Sequence, residues 1–290
     1  MIISDKWKEY ELIEASDGER LERWGKYILV RPDPQVIWKN AKKSPLWKKA
    51  DAEYNRSSSG GGHWGKNNLP ESWSISYGDL SFKLKAMSFK HTGLFPEQAA
   101  NWDYIREKIS ERGGNVKVLN LFAYTGAASV ACAKAGASVC HVDASKGMVL
   151  QAKENAALSG LADAPIRYIV DDCKKFLERE IRRGNKYDVI ILDPPSYGRG
   201  PSGEIWKLEE LIDGFLELCF KVLSESPLAV IYNSYTTGLS ASSVAALLKI
   251  NAVRAGFSEC SVIADEIGLP VTNQNIVLPC GAVARLEFGK

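Results

Sequence analysis

From residue 116 to residue 255, short apolar runs alternate with longer stretches whose apolar positions recur at helical spacing. Residues 116–122, 137–142, 166–170, 187–192 and 228–232 read as strands. Between them, residues 127–135, 145–159, a stretch ending near 183, 204–223 and 240–255 read as helices. Gly136, Gly160 and Gly256 mark the ends of three of these helices. A further helix opens at Pro96-Glu97-Gln98 and runs to about Arg112, with Gly113-Gly114 after it. Near-continuous apolar strands alternating with helices predict a parallel sheet covered on both faces, an α/β fold. The pattern changes at the end. Residues 258–264 and 277–288 are strand-like with only 265–275 between them, which predicts a long-looped antiparallel hairpin.

Before residue 92 the texture is irregular, rich in Trp and charge. Residues 27–31 form a strand candidate ended by Pro32 and Pro34. Residues 73–77 and 80–84 alternate around Gly78-Asp79 and predict a hairpin. Ser57-Ser58-Ser59-Gly60-Gly61-Gly62 has nothing to bury and predicts a mobile loop. The expected division is a β-rich accessory domain over 1–92 and an α/β domain over 93–290.

Composition narrows the class. The chain has 290 residues, 45% hydrophobic, and 37 Lys and Arg against 35 Asp and Glu, so its net charge of +2 advertises no polyanionic partner. Met1-Ile2-Ile3-Ser4-Asp5-Lys6-Trp7 turns polar at once, unlike a secretory leader. No apolar run nears the roughly 20 residues that span a bilayer, so no membrane partner is expected. Six cysteines without a Cys-x-x-Cys pair fit reduced, buried thiols and a cytoplasmic location, with no cysteine-based metal site.

In such sheets a ligand binds beyond the C-terminal ends of the strands. The first of these strands runs into Asn120-Leu121-Phe122-Ala123-Tyr124-Thr125-Gly126. Gly126 permits close backbone approach, but no Gly-x-Gly-x-x-Gly is present to seat a pyrophosphate, which argues against a nicotinamide oxidoreductase. The second strand ends at Asp143, about 20 residues on, where a carboxylate accepts ribose hydroxyls. After the third strand come Asp171-Asp172-Cys173, at the level of an adenine edge. Singly, each Asp reads as a helix cap and Gly126 as a turn. Together they suit an adenosine without phosphates.

Residues 116–197 closely resemble the class I S-adenosylmethionine-dependent methyltransferases, and more narrowly the branch of large-subunit ribosomal RNA methyltransferases. The resemblance lies in Leu119 to Gly126, Val142-Asp143-Ala144-Ser145-Lys146, Gln151-Ala152-Lys153-Glu154-Asn155 and Asp193-Pro194-Pro195-Ser196-Tyr197. The block Lys90-His91-Thr92-Gly93-Leu94-Phe95-Pro96-Glu97-Gln98 is similar to one that branch places over the methionine end of the cofactor. It has Glu97 where relatives commonly carry Asp, and Ala99 where they carry Arg. The resemblance implies a Rossmann-like, seven-stranded sheet with an antiparallel last strand, and S-adenosyl-L-methionine as cofactor. It implies that Asp143, with Ala144 and Ser145, binds the ribose, and that Asp172 and the Cys173 main chain read adenine. Asn120, Phe122, Tyr124, Thr125 and Gly126, with Phe95 and Gln98, would surround the remainder. Asn155 matches a position beside the pocket, or else packs a helix.

Asp193, Pro194, Pro195 and Tyr197 make the candidate transfer site. Two prolines fix the backbone and remove two donors, leaving Asp193 and a main-chain carbonyl to accept from an amino group. Tyr197 offers a ring to a base, a contact worth about 1–3 kcal/mol. Cytosine-5 methylation needs a Cys nucleophile, which the resembling branch carries after the fifth strand, yet Tyr232-Asn233-Ser234-Tyr235-Thr236 has none, so a nitrogen is the expected acceptor. Five lysines interleave with Trp38 and Trp47, and Arg56, Trp64 and Lys66 follow, a texture suited to single-stranded RNA or to a solvated loop over packed indoles. Residues 197–206 read either as a lid carrying Arg199 or as a plain loop. The expectation is a methyltransferase acting on RNA. A protein or small-molecule methyltransferase and a non-catalytic RNA-binding relative are the rivals, and a monomer and a homodimer are both left open.

Overall fold

A computed structural model describes residues 1–57, 61–199, 205–236 and 238–289. The chain packs as two compact units, one of Ile2–Ala100 with Ile267–Cys280, the other of Met1, Asn101–Glu266 and Gly281–Lys290. Compactness therefore draws the line near residue 100 rather than 92. It also returns a late segment to the first unit, because the last two strands are long enough to serve both.

The N-terminal unit contains β1 (Ile2–Ile3), β2 (Tyr10–Ser16), β3 (Glu19–Trp24), β4 (Tyr27–Pro32), α1 (Leu46–Lys49), β5 (Ala52–Arg56), β6 (Gly62–Asn67), β7 (Trp73–Tyr77) and β8 (Leu80–Leu84). Strands β2 to β6 pair in sequence order, all antiparallel except the β4–β5 pair. The expected hairpin is β7–β8, with Gly78 at φ 57° in its turn. Of the expected mobile loop, residues 58–60 lie outside the described residues and Gly62 already belongs to β6.

Strands β2 and β3 were not expected. Their buried positions mix the carboxylates Glu14 and Glu22 with apolar residues, which breaks the clean alternation. Glu22 is fully buried and accepts two bonds from Arg31 (2.6 and 2.7 Å) and one from the Tyr10 hydroxyl (2.8 Å). Burial alone would raise this carboxyl, but Arg20 and Arg31 beside it hold it down at about 2. Such a pair satisfies the core's polar requirement while hiding the strand from a hydrophobicity pattern.

The second unit contains α2 (Ala99–Arg112), β9 (Lys117–Leu121), α3 (Ala127–Lys134), β10 (Ser138–Asp143), α4 (Lys146–Leu158), β11 (Ile166–Val170), α5 (Cys173–Arg183), β12 (Val189–Leu192), β13 (Tyr197–Arg199), β14 (Ile205–Lys207), α6 (Leu208–Lys221), β15 (Ala229–Ser234), α7 (Ala241–Arg254), β16 (Cys260–Val271) and β17 (Ile276–Phe288). Its sheet has the order β11-β10-β9-β12-β15-β17-β16. The first five strands are parallel and β17 runs antiparallel to β15, the Rossmann-like arrangement anticipated. Leu119, Leu121, Ile190, Leu192 and Val230 build the core with Phe176, Phe215 and Phe220. Each such buried side chain contributes about 1.5–3 kcal/mol.

Two expectations are corrected. The helix expected from 204 starts at Leu208, because Tyr197–Arg199 and Ile205–Lys207 pair as a hairpin in front of it. Residues 200–204 of the expected lid lie outside the described residues. The last two strands are joined by a short turn, 272–275, not a long loop, since Ile267, Leu269 and Val271 continue β16 with alternate residues buried. No helix among the described residues is long and apolar enough to cross a membrane.

Candidate active site

Register brings five strand ends to one rim. Leu121 of β9 lies level with Val142 of β10 and Leu192 of β12, Asp143 with Val170 of β11, and Leu192 with Tyr232 of β15. Chain order runs outward from β9 in both directions, so the switch point falls between β9 and β12. The residues after those strands, from Phe122, Asp143, Asp171 and Asp193 onward, therefore share one edge.

The loop after β9 is held in an unusual conformation. Phe122 (φ 53°), Tyr124 (φ 51°) and Gly126 (φ 80°) are all left-handed. For the two aromatic residues this costs about 1–3 kcal/mol each, which the surroundings must offset. They do so with specific bonds. The Phe122 N–H donates to Cys173 Sγ (3.3 Å), the Ala123 N–H to the Val142 carbonyl (3.1 Å) and the Tyr124 N–H to Asp143 Oδ2 (2.8 Å). Asn155 Nδ2 donates to the Thr125 carbonyl at 2.8 Å. Gly126 is required twice over: a Cβ there would lie 2.6 Å from Ala152 Cβ and 3.3 Å from His141 Cε1.

Asp143 is half-buried, and its other oxygen accepts from the Ser145 N–H at 2.8 Å. Burial pushes its carboxyl up, and the two main-chain donors oppose that shift. One rim over, Asp172 caps α5 by accepting from the Lys175 N–H at 2.9 Å, while its second oxygen has no partner among the described residues. Asp171 pairs with Arg179 and accepts from the Asp172 N–H, which stiffens the turn.

On the far side of β9, Asp193 is half-buried next to Tyr232, whose phenol is raised by burial and further by the Asp193 charge. The motif that follows is bolted down. Trp206 Nε1 donates to the Pro195 carbonyl (2.6 Å), the Leu208 N–H to the Ser196 carbonyl (3.0 Å), and the Ser196 and Thr236 hydroxyls meet at 2.7 Å. The Trp206 ring also packs on Phe122 and Phe215, each at 5.4 Å, so one indole ties the Pro-Pro turn to the β9 loop. Tyr197 stands 52% exposed at the start of β13.

Comparison with known proteins gives the family. The family model of S-adenosylmethionine-dependent methyltransferases matches residues 48–211, more than half of the chain. This chain belongs to that family. A crystal structure of the SAM-dependent methyltransferase from Agrobacterium tumefaciens, 36% identical, superposes with a TM-score of 0.92 over 99% of this chain and 92% of that one. The ribosomal RNA large subunit methyltransferase K/L of Shewanella frigidimarina is 35% identical over 143 residues, covering 47% of this chain and 19% of that protein. Its Pseudoalteromonas atlantica counterpart is 41% identical over 117 residues, covering 40% and 16%. The chain thus spans less than a fifth of the length of these two curated relatives.

The cofactor of this methyltransferase is S-adenosylmethionine, and the rim suits it. Each Asp143 oxygen accepts one main-chain N–H and keeps a lone pair for a ribose hydroxyl. The second oxygen of Asp172, without a partner among the described residues, and the first-turn N–H groups of α5 are groups on this rim that could hold an adenine edge. Exposed Ala144 and Ser145 and half-buried Phe122 and Tyr124 lie beside them.

Other expected contacts sit behind the rim. Asn120 is 4% exposed and donates to Ser129 Oγ (2.9 Å), which meets His141 Nδ1 at 3.0 Å. Asn155 is fully buried and holds the Thr125 carbonyl. Both side chains support the loop, Asn120 through Ser129 and Asn155 through the Thr125 carbonyl. Thr125 and the Cys173 thiol are buried too, which leaves their main chains to act, and burial raises that thiol well above its usual range. Phe95 and Gln98 fall in the N-terminal unit, where His91 packs edge-on to Phe95 at 5.5 Å and Gln98 is buried.

Sequence reading missed Ser129, His141, Trp206 and Thr236 as parts of this machinery. The signal was there for His141, which lies directly opposite Asn120 in register, two polar residues inside apolar strands. Burial pushes His141 down to about 4, so it is neutral near pH 7. The unfolded chain takes up that proton at the ordinary value, about 6.5, so stability falls as pH drops below 6.5 and stops falling through this group near 4. Urea melts at pH 7 and pH 5 are expected to lose about 2 kcal/mol less in His141→Gln than in wild type. An equal loss in both proteins would remove His141 from the acid response.

Proposed function

We propose that this methyltransferase modifies a nitrogen of a nucleobase in RNA, with ribosomal RNA as the substrate class. The observation that carries the reading is the Asp193-Pro194-Pro195 turn at the end of β12, rigid, next to the switch point and flanked by a half-exposed Tyr197. The donor supplies a methyl group already activated on a sulfonium, so the chain's task is to align and desolvate, which is worth roughly 7–11 kcal/mol in well-oriented reactions. The Pro195 carbonyl is taken by Trp206. In this reading the Asp193 carboxylate and the Pro194 carbonyl accept from an amino group and aim its lone pair at the methyl carbon. Tyr197 stacks on the base, which must be flipped out of any duplex. The names of the curated relatives point to ribosomal RNA, and residues 232–236 carry no thiol for cytosine-5 chemistry. Ribosomal RNA as substrate would place the enzyme in the cytoplasm.

Mass spectrometry of nucleosides from a strain lacking the gene is expected to show one N-methylated nucleoside depleted from ribosomal RNA. Intact RNA modification, with methylation lost from a protein or a small molecule, would overturn the reading.

A further inference from the structure

We propose that residues 36–57 and 61–67 of the N-terminal unit form a phosphate-contacting surface for folded RNA that works through unpaired cations and not through its tryptophans. The proposal rests on RNA as the substrate class and names how that RNA is held.

The segment carries seven Lys and Arg against two Asp and Glu, a surplus of five in a chain whose total is +2. Charge is thus concentrated where the global balance hides it. Lys39 and Lys42 are engaged with Asp17 and Glu19. Lys43, Lys48, Lys49, Arg56 and Lys66 are exposed and make no ion pair among the described residues. Local carboxylates do not answer them. Asp51 accepts from the Ile28 N–H at 2.8 Å, and Glu14 accepts from the Ser44 N–H and from Trp47. The cations come from the segment just before α1, from α1 itself and from the β5–β6 hairpin, whose strand β6 ends the sheet order and is exposed along nearly its whole length.

The indoles are otherwise occupied. Trp38 donates to the Ala15 carbonyl (2.8 Å), Trp47 to Glu14 (2.6 Å) and Trp64 to the Met87 carbonyl (2.8 Å). Trp47 packs on Ile13, Leu21 and Val30, with the Lys42 ammonium 4.3 Å from its ring centre. Trp64 meets Tyr54 edge-on at 5.4 Å. Rings pinned by their N–H groups, and in Trp47 covered by an ammonium, are held for the fold, so stacking on splayed bases becomes the rival that the oligouridylate comparison tests. What remains is a row of charges that reads phosphates and tolerates any sequence. Lysines on an edge strand also guard a sheet against edge-to-edge pairing, and that role requires no RNA.

The test uses the full chain, an RNA hairpin, oligouridylate of the same length and vesicles of phosphatidylglycerol. The hairpin's Kd is expected to weaken on the order of 10²–10³-fold between about 50 and about 200 mM salt. Combining Lys43→Glu, Lys48→Glu and Lys49→Glu should weaken hairpin binding at least about tenfold and flatten the salt slope by about three. Trp64→Phe should leave that slope unchanged. Several results would overturn the proposal: no hairpin binding, an unaltered slope in the triple variant, tighter binding of oligouridylate that Trp64→Phe abolishes, or vesicle binding in place of RNA binding. Methyl transfer separates this idea from the substrate reading. RNA labelling that persists undiminished in the triple variant removes the surface and keeps the substrate. Salt-dependent hairpin binding by an enzyme that labels no RNA keeps the surface and removes the substrate.

Discussion

Asp193→Ala is expected to lower kcat on the order of 10²–10³-fold or more while leaving S-adenosylmethionine affinity within a few-fold. The carboxylate stands at the end of β12, across β9 from Asp143, so its loss strips the acceptor side of its principal hydrogen-bond partner without touching the ribose side. Removing one well-placed group of this kind has consequences of that size in other enzymes. The turn itself should survive, because Trp206, the Leu208 N–H and Thr236 hold it independently of Asp193. The measurement is transfer of labelled methyl groups to RNA from a strain lacking the gene, beside calorimetric titration of the cofactor. Full turnover in a folded variant would remove Asp193 from the mechanism.

Asp143→Ala should do the reverse, weakening cofactor binding by about 1.5–3 kcal/mol, roughly 10- to 100-fold in Kd. The loss has two origins. One is the hydrogen bonds to the ribose. The other is the anchor that keeps Tyr124 at φ 51°, since the Tyr124 and Ser145 N–H groups both donate to this carboxylate. Asp143→Asn keeps one carbonyl oxygen and should recover part of the affinity. Unchanged affinity in both folded variants would reject the ribose role.

These two experiments act on opposite sides of one strand, and the distinction matters for the further claim about RNA. A defect in Asp143 should appear as a cofactor defect at every salt concentration. A defect in the lysines around α1 should appear only in RNA affinity and fade as salt screens it.

Much of this protein is legible from its residues. The five parallel strands and their helices follow from apolar runs and helical spacing, because every strand but the edge strand β11 is buried on both faces and each helix on one. Asp143 and Asp193 could be nominated because strand ends fall at positions that the pattern itself defines. Local sequence does not reveal what a polar residue inside the fold is facing. Glu22 looks like a surface charge until Arg31, nine residues away, and Tyr10, twelve away, close around it. Asn120 and Asn155 do not show in sequence that packing turns one toward Ser129 and the other toward the Thr125 carbonyl. Trp47 looks like a platform for a base until Glu14 claims its N–H. Periodicity reports how a side chain partitions between water and protein, a property of the residue and its neighbours along the chain. Hydrogen-bond partners are set by which strands and loops lie alongside in space, so only the tertiary structure could decide which polar groups serve the fold and which are left for chemistry.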